Sequence, residues 1–249
     1  RAAAGRLTPG SVLVVSTGAG MSRESGIPTF RGAEGLWRKY RAEEVATPEF
    51  LFRNPALAWE FHDHLCGLVA AATPNAGHRA LAALVEALSP HRTVRIVTQN
   101  IDRLHEEAGS QHVIHLHGDV LRVVCTGCAF ADDNYPVPAP AHPPRCVCGA
   151  LLRPDVVLFD ERLPLEALEE AWDLAESCAA MVVIGTSVNV QPAASLPFVA
   201  RERGALVIEV NPDETTLTDY AQHSLRGTAA TVLPEFVGAL REALAAEEA

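Results

Sequence analysis

The sequence predicts an α/β fold: a Rossmann-like parallel sheet with helices on both faces, joined by a small cysteine-bound module and a helical module. Three observations predict it. Short apolar, β-branched runs alternate with helical patterns along most of the 249 residues. The first such run opens directly onto a glycine-rich turn. Four cysteines stand in two close pairs, set apart from the alternating pattern.

The strand candidates are Val12–Val15, Val94–Val97, Val113–Leu116, Met181–Ile184 and Leu206–Val210, with a weaker one at Ala230–Leu233. Helical stretches are expected at Pro55–Ala70, Asn75–Leu88, Ile101–Ala108, Leu165–Cys178 and Ala193–Arg203. Their apolar residues recur three and four apart, as in Leu81, Leu84, Val85 and Leu88. Strand–helix alternation of this kind implies parallel strands covered on both faces. Two regions break it. Arg31 to Glu49 is a long connection with little periodicity, and such loops are usually functional or disordered. Ala131 to Pro144 is rich in Pro and Ala and lies between the cysteine pairs, as an excursion held by something other than packing.

The composition, 48% hydrophobic and 20% charged, is that of a soluble globular chain. No apolar run approaches the roughly 18–20 residues that span a bilayer, so no membrane partner is expected. Arg1 to Gly10 lacks the apolar stretch of a secretory signal. A net charge of −11 argues against nucleic acid, because a chain that repels phosphates forfeits the main electrostatic term. It suits a basic partner such as a lysine-bearing protein tail, although solubility alone also accounts for it.

The first strand runs into Thr17-Gly18-Ala19-Gly20-Met21-Ser22. A glycine turn between a strand and a helix brings backbone N–H groups against a pyrophosphate, or serves only as a turn. It departs from G-x-G-x-x-G, since Arg23 stands at the third glycine. Gln99, Asn100 and Asp102 follow another predicted strand, at the carboxyl end where open α/β sheets bind ligands. Asn100 and Asp102 also suit the cap of a following helix. His117 ends a third strand in His115-Leu116-His117-Gly118, where alternation puts His115 and His117 on one face. A histidine there is well placed for proton transfer near neutral pH.

Cys125-x-x-Cys128 and Cys146-x-Cys148 are separated by 17 residues. Four thiolates suit a closed tetrahedral zinc site of structural type, although Cys146-x-Cys148 is tighter than the usual gap. Two disulfides or two dispensable thiol pairs are the alternatives. Cys66 and Cys178 stand alone in apolar helical contexts and read as packing residues. This usage suits a reducing compartment, so a cytoplasmic location is expected.

The longer string Gly18-Ala-Gly-Met-Ser-Arg-Glu-Ser-Gly-Ile-Pro-Thr-Phe-Arg31-Gly resembles the cofactor segment of the sirtuin family of NAD-dependent protein deacylases. The resemblance recurs at Thr-Gln99-Asn100-Ile101-Asp102, His115-Leu-His117-Gly118, the cysteine pairs, Arg153-Pro154-Asp155-Val156-Val157, Gly185-Thr186-Ser187 and Val210-Asn211-Pro212. It spans roughly residues 10–240 in matching order. It implies that Gly18, Ala19, Gly20, Ser22, Pro28, Phe30, Arg31 and Trp37 line NAD. Gln99, Asn100, Ile101 and Asp102 would take its nicotinamide end, and Gly185, Thr186, Ser187, Asn211, Pro212 and Ala229 its adenosine end. Asn100 and Asp102 are also counted with His117 among the catalytic residues.

By the same resemblance His117 is the general base, and His115 has a supporting or packing role. The acyl-lysine carbonyl oxygen would attack the ribose carbon as nicotinamide leaves, and acyl transfer would give free lysine and O-acyl-ADP-ribose. The substrate main chain would dock beside Val156, Val157 and Phe159, next to Asp160, where the family usually carries Gly. Zinc on Cys125, Cys128, Cys146 and Cys148 would be structural. The whole chain would form one catalytic domain: a large lobe from 1–30, 72–120 and 154–249, a cofactor loop and helical module at 31–71, and a zinc-binding module at 121–153.

The stretch Gly35 to His78 resembles the subgroup that includes desuccinylases, which recognise the acyl carboxylate with a Tyr-x-x-Arg pair. Here His62 and Leu65 occupy those positions. Leu65 cannot bind a carboxylate, so acetyl or another uncharged acyl group is favoured. The alternatives on the same fold are ADP-ribosyl transfer or NAD hydrolysis, and a non-catalytic NAD-sensing module.

Overall fold

The computed structural model describes residues 2–29 and 42–247. Nine strands are present among them: β1 (Val12–Thr17), β2 (Thr93–Thr98), β3 (Val113–His115), β4 (Gly118–Cys125), β5 (Ala131–Asp132), β6 (Leu152–Val156), β7 (Ala180–Ile184), β8 (Leu206–Asn211) and β9 (His223–Arg226). The α-helices are α1 (Ala42–Val45), α2 (Pro48–Arg53), α3 (Pro55–Ala71), α4 (Ala76–Leu88), α5 (Leu104–Glu107), α6 (Leu165–Ser177), α7 (Leu196–Glu202) and α8 (Ala229–Glu247). Six strands form one sheet in the order β3-β2-β1-β7-β8-β9, with parallel pairing throughout.

Alternation along the strands divides the core into two layers. Leu13, Val15, Ile96, Val182, Ile184 and Ile208 pack with Leu81, Leu84 and Leu88 of α4 and Leu233, Val237, Leu240 and Leu244 of α8. Val14, Val97, Met181, Val183 and Val207 pack on the other face with Ala171 and Ala175 of α6 and Leu196 and Ala200 of α7. Side chains of period two must serve two cores, which is why these strands are apolar nearly throughout. Asn75 starts α4 through a capping box: its Oδ1 accepts from the Gly77 and His78 N–H groups, and His78 Nδ1 accepts from the Asn75 N–H.

Some expected elements differ. Ala230–Leu233 opens α8 and is not a strand. Thr231 and Val232 give it a strand-like look, but Leu233, Val237, Leu240 and Leu244 keep helical spacing and bury that face. The sixth strand of the sheet is instead the half-exposed edge β9. The helix expected from Ile101 shortens to α5, because Asp102 Oδ1 accepts the Leu104 N–H at 3.0 Å and holds the preceding residues in a loop.

A second, antiparallel sheet, ordered β5-β4-β6, carries the cysteines. Trp59 of α3 is buried against Val123, Cys146 and Leu152 and donates from Nε1 to the Leu152 carbonyl at 3.0 Å. The excursion between the cysteine pairs is tied to α3 by Asp63. Its carboxylate accepts the Ala139 N–H at 3.0 Å and pairs with His142 Nε2 at 2.5 Å.

The strand order places a topological switch between β1 and β7, and their two turns touch backbone to backbone there. The Gly18 N–H donates to the Ile184 carbonyl at 3.0 Å and the Gly20 N–H to the Gly185 carbonyl at 2.8 Å. A Cβ on Gly20 would lie 2.7 Å from Gly185 Cα, and one on Gly185, where φ is +60°, 2.6 Å from the Gly20 carbonyl carbon. Gly185→Ala therefore combines overpacking with a left-handed backbone, and should cost about 1–3 kcal/mol. A lowered thermal midpoint in calorimetry is expected; an unchanged one would contradict the backbone contact.

Candidate active site

The carboxyl ends of β1, β2, β3, β7 and β8 open on one side of the sheet, the usual ligand-binding side of such folds. A buried polar cluster lies there. Ser22, Asn100 and Asp102 are all nearly inaccessible. Asn100 Nδ2 donates to Ser22 Oγ at 3.0 Å, and Ser22 Oγ donates to Asp102 Oδ2 at 2.8 Å. Burial raises the Asp102 pKa, against the Leu104 N–H and Ser22 hydrogen bonds that favour its ionised form. Below the cluster, Thr17 Oγ1 donates to Thr98 Oγ1 at 2.8 Å, and Thr98 Oγ1 accepts the Asn100 N–H at 3.0 Å. The sequence reading missed Thr17, Thr98 and His105, whose Nε2 lies 3.1 Å from Thr17 Oγ1.

A second line of contacts crosses the switch point. Asn211 Nδ2 donates to the Thr186 carbonyl at 2.9 Å, and Gln99 Nε2 donates to Thr186 Oγ1 at 3.4 Å. His117 Nδ1 lies 2.9 Å from the Gln99 carbonyl oxygen. A carbonyl oxygen only accepts, so the proton resides on Nδ1 and leaves Nε2 as the basic atom. Burial holds the His117 pKa below the ordinary value, with the Gln99 carbonyl working the other way. The Val157 N–H donates to the His117 carbonyl at 2.9 Å. Gly118 permits this approach: its φ is +80°, and a Cβ there would lie 2.0 Å from the Asp155 carbonyl oxygen.

Several candidate residues thus converge: Ser22 with Asn100 and Asp102, and Gln99 with His117, Thr186 and Asn211. Gly18, Ala19 and Gly20 form the turn above β1, and Gly185 and Ser187 flank Thr186 above β7. Pro28 continues the first turn, Pro212 follows Asn211, and Ala229 is buried at the start of α8. Phe30, Arg31 and Trp37 lie outside the described residues. Ile101 and Val156 join Leu65, Val69, Cys66 and Val120 in an apolar cluster. Phe159 donates its N–H to the Ala46 carbonyl at 2.8 Å. Asp160 takes a φ of +68°, a left-handed backbone that the glycine expected from the family would adopt without strain.

His62 is buried and not at an open surface. Its ring lies edge-on to Trp59, and Nε2 is 3.3 Å from Cys66 Sγ. Burial pushes its pKa down to about 4, and does the same for His78, to about 4, and His105, to about 3. Cys66, its pKa pushed up to about 12 by burial, remains a thiol and donates to the Val120 carbonyl. Cys178 is likewise a buried thiol.

The Sγ atoms of Cys125, Cys128, Cys146 and Cys148 lie within 4.8 Å of one another. The closest approaches are 3.5 Å for Cys125–Cys148 and 3.7 Å for Cys128–Cys146. A tetrahedron with Zn–S bonds of about 2.3 Å has edges of about 3.8 Å, so the four thiols fit a zinc ion. No His or carboxylate belongs to the group, and no open coordination position is provided.

The Sir2 family model matches residues 18–192. An NAD-dependent protein deacylase of Aquifex aeolicus is 49% identical over 231 residues, 92% of this chain and 95% of that protein. NAD-dependent protein deacylase 1 of Caldanaerobacter subterraneus subsp. tengcongensis is 51% identical over 214 residues, 86% of this chain and 87% of that protein. Among solved structures, a Sir2 homolog–NAD complex superposes with a TM-score of 0.86 at 46% identity, covering 94% and 90% of the two chains. A Sir2–p53 peptide–NAD+ complex gives 0.79 at 34% identity, covering 93% and 92%.

Two outcomes follow from these environments. The unfolded chain takes up protons on His62, His78 and His105 near pH 6.5, whereas the folded chain resists until about pH 4 or below. Stability should therefore fall as pH drops from 6.5 towards 4, by up to roughly 1.4 kcal/mol per pH unit for each ring. Urea unfolding across that range measures it, and a flat profile would contradict neutral buried rings. Purified protein should carry one zinc per chain, and its removal by a chelator should lower the thermal midpoint. Metal analysis far below one equivalent would contradict the site.

Proposed function

The chain belongs to the Sir2 family, and we propose that it removes acyl groups from protein lysines in an NAD-dependent reaction, with His117 as general base. The observation that carries this is His117 itself. Its Nδ1 is fixed on the Gln99 carbonyl, its ring is kept neutral by burial, and its basic Nε2 belongs to the bend between β3 and β4, not to a strand as the sequence suggests, beside the Ser22–Asn100–Asp102 cluster.

Bound NAD supplies a ribosyl electrophile and a ribose hydroxyl that accepts the acyl group. The turns at Gly18–Gly20 and Gly185–Ser187 would hold it across the switch point together with Pro28, and the family resemblance adds Phe30, Arg31 and Trp37. Asn211, Pro212 and Ala229 would take the adenosine end. Gln99, Ile101 and Asp102 would take the nicotinamide end. Each Asp102 oxygen accepts one hydrogen bond from the protein and retains a lone pair for an amide donor. Asn100, anchored through Ser22, would orient a ribose hydroxyl, and His117 Nε2 would remove its proton. The Cys125, Cys128, Cys146 and Cys148 zinc would be structural, with no part in these steps.

An acylated lysine in a protein or peptide is the proposed substrate, docking beside Val156, Val157 and Phe159. Leu65 lies in the same apolar cluster as Ile101 and Val156, which supports an uncharged acyl group. His62, turned towards Cys66, would shape this wall and not bind charge. We assign the whole chain to one catalytic domain, with the large lobe, helical module and zinc-binding module divided as the sequence suggests. Four cysteines gathered as metal ligands and two lone buried thiols, Cys66 and Cys178, support a reducing, cytoplasmic setting. Among the described residues no helix is long and apolar enough to cross a membrane.

His117→Ala should lower kcat by roughly 10²–10⁴-fold without changing the thermal midpoint. Near-normal deacylation by that variant would remove His117 from the mechanism. Because a base must be neutral to act, the acid limb of the pH profile should lie below the ordinary histidine value of 6.5. In an acyl-peptide panel, acetyl-lysine should turn over faster than succinyl-lysine; the reverse order would contradict the role given to Leu65.

A further inference from the structure

His115 has no assigned step in the reaction, yet its surroundings are specific. It ends β3 two residues before His117. Nε2 lies 2.7 Å from Glu106 Oε1 on α5, and Nδ1 lies 3.3 Å from the main-chain oxygen of Asn100. An ionised carboxylate and a carbonyl oxygen both only accept hydrogen bonds. Two simultaneous bonds therefore require a proton on each ring nitrogen, and the ring is an imidazolium in this geometry.

The charges around it come from several elements. Asp102 lies in the loop after β2, Asp119 on β4, and Arg103 pairs with Asp119 at 2.6 Å. His105 and Glu107 share α5 with Glu106. Burial opposes a charged His115, but the hydrogen bond and charge of Glu106, the Asn100 carbonyl and Asp119 hold its pKa above the ordinary 6.5. The charge on His115 also favours ionisation of Asp102, against the burial that opposes it.

We propose that His115 is a positioning residue: its doubly protonated ring, held by Glu106, fixes the Asn100 carbonyl and places a positive charge near buried Asp102. This rests on the deacylase reading for the roles of Asn100 and Asp102. Loss of one ring proton at higher pH must break one of the two hydrogen bonds, so Asn100 loses its tie or Glu106 its partner. The alkaline limb of activity then belongs to His115, and the acid limb to His117. Two histidines, one at the end of β3 and one in the bend that follows it, set opposite ends of the pH range.

The test compares kcat/KM for NAD against pH, with a fixed acetyl-lysine peptide, for the wild type, Glu106→Gln and His115→Gln. NMR titration of the His115 ring in the full chain accompanies it, and thermal midpoints identify any variant that fails to fold. In the wild type the ring should titrate above 6.5. Glu106→Gln should move both the ring's titration and the alkaline limb down by about one pH unit. His115→Gln should abolish the alkaline limb and lower kcat/KM about tenfold or more, leaving the acid limb in place. The proposal is overturned if the ring titrates at or below 6.5 in the wild type. It is equally overturned if the alkaline limb stays fixed while the ring's titration moves. Absence of peptide-dependent turnover by the wild type would strike the deacylase reading instead, whereas the ring's titration tests the imidazolium by itself.

Discussion

The contact between the turns after β1 and β7 is the constraint on which the rest of the site depends. Strand order alone brings the two turns to the middle of the sheet. Closing them to backbone contact requires Gly20 and Gly185 to lack side chains, since either Cβ would overlap the other turn. The hydrogen bonds from Gly18 and Gly20 to the carbonyls of Ile184 and Gly185 then extend the β1–β7 pairing beyond the strands. Thr186, fixed by this contact, is the point that both Gln99 and Asn211 reach.

From there the chemistry is organised by satisfying buried polar groups. Thr17, Thr98 and Asn100 form a ladder of hydroxyl and amide contacts. Above it, Ser22 donates to Asp102 and accepts from Asn100, so its single hydroxyl joins the first turn to the polar loop after β2. Such a network costs little only when each member has its partner. The same accounting gives two histidines different surroundings: His117 meets one carbonyl and its pKa is lowered by burial, while His115 lies between a carboxylate and a carbonyl that, with Asp119, raise its pKa against burial. Two histidines two residues apart are shifted in opposite directions by the partners that each one meets against burial.

Much of this is legible in the sequence because local chemistry reports it. The central strands are apolar nearly throughout since both faces are covered, and β1, β2, β3, β7 and β8 lie where the β-branched runs place them. Gln99, Asn100, Asp102 and His117 stand out as polar groups at strand ends. The antiparallel β4 and β6 are hidden by their mixed residues, among them the half-buried Arg153 and Asp155 on either side of a proline. The strand-like run at Ala230–Leu233 hides the start of α8, because the helical spacing that settles it lies further along. Thr17, Thr98 and His105 are invisible for a different reason. Thr17 and Thr98 are 81 residues apart, and only the pairing of β1 with β2 makes their hydroxyls partners. The buried state of His62 is likewise a product of α3 packing on the cysteine-bearing sheet, through Trp59.

A Sir2-family deacylase couples NAD cleavage to removal of an acyl group from lysine. The most direct measurement is product stoichiometry by mass spectrometry, with an acetyl-lysine peptide and NAD. Equal amounts of nicotinamide, free-lysine peptide and O-acetyl-ADP-ribose are expected, with negligible nicotinamide release without peptide. Peptide-independent release of nicotinamide, or deacetylation giving free acetate as its initial product, would contradict it.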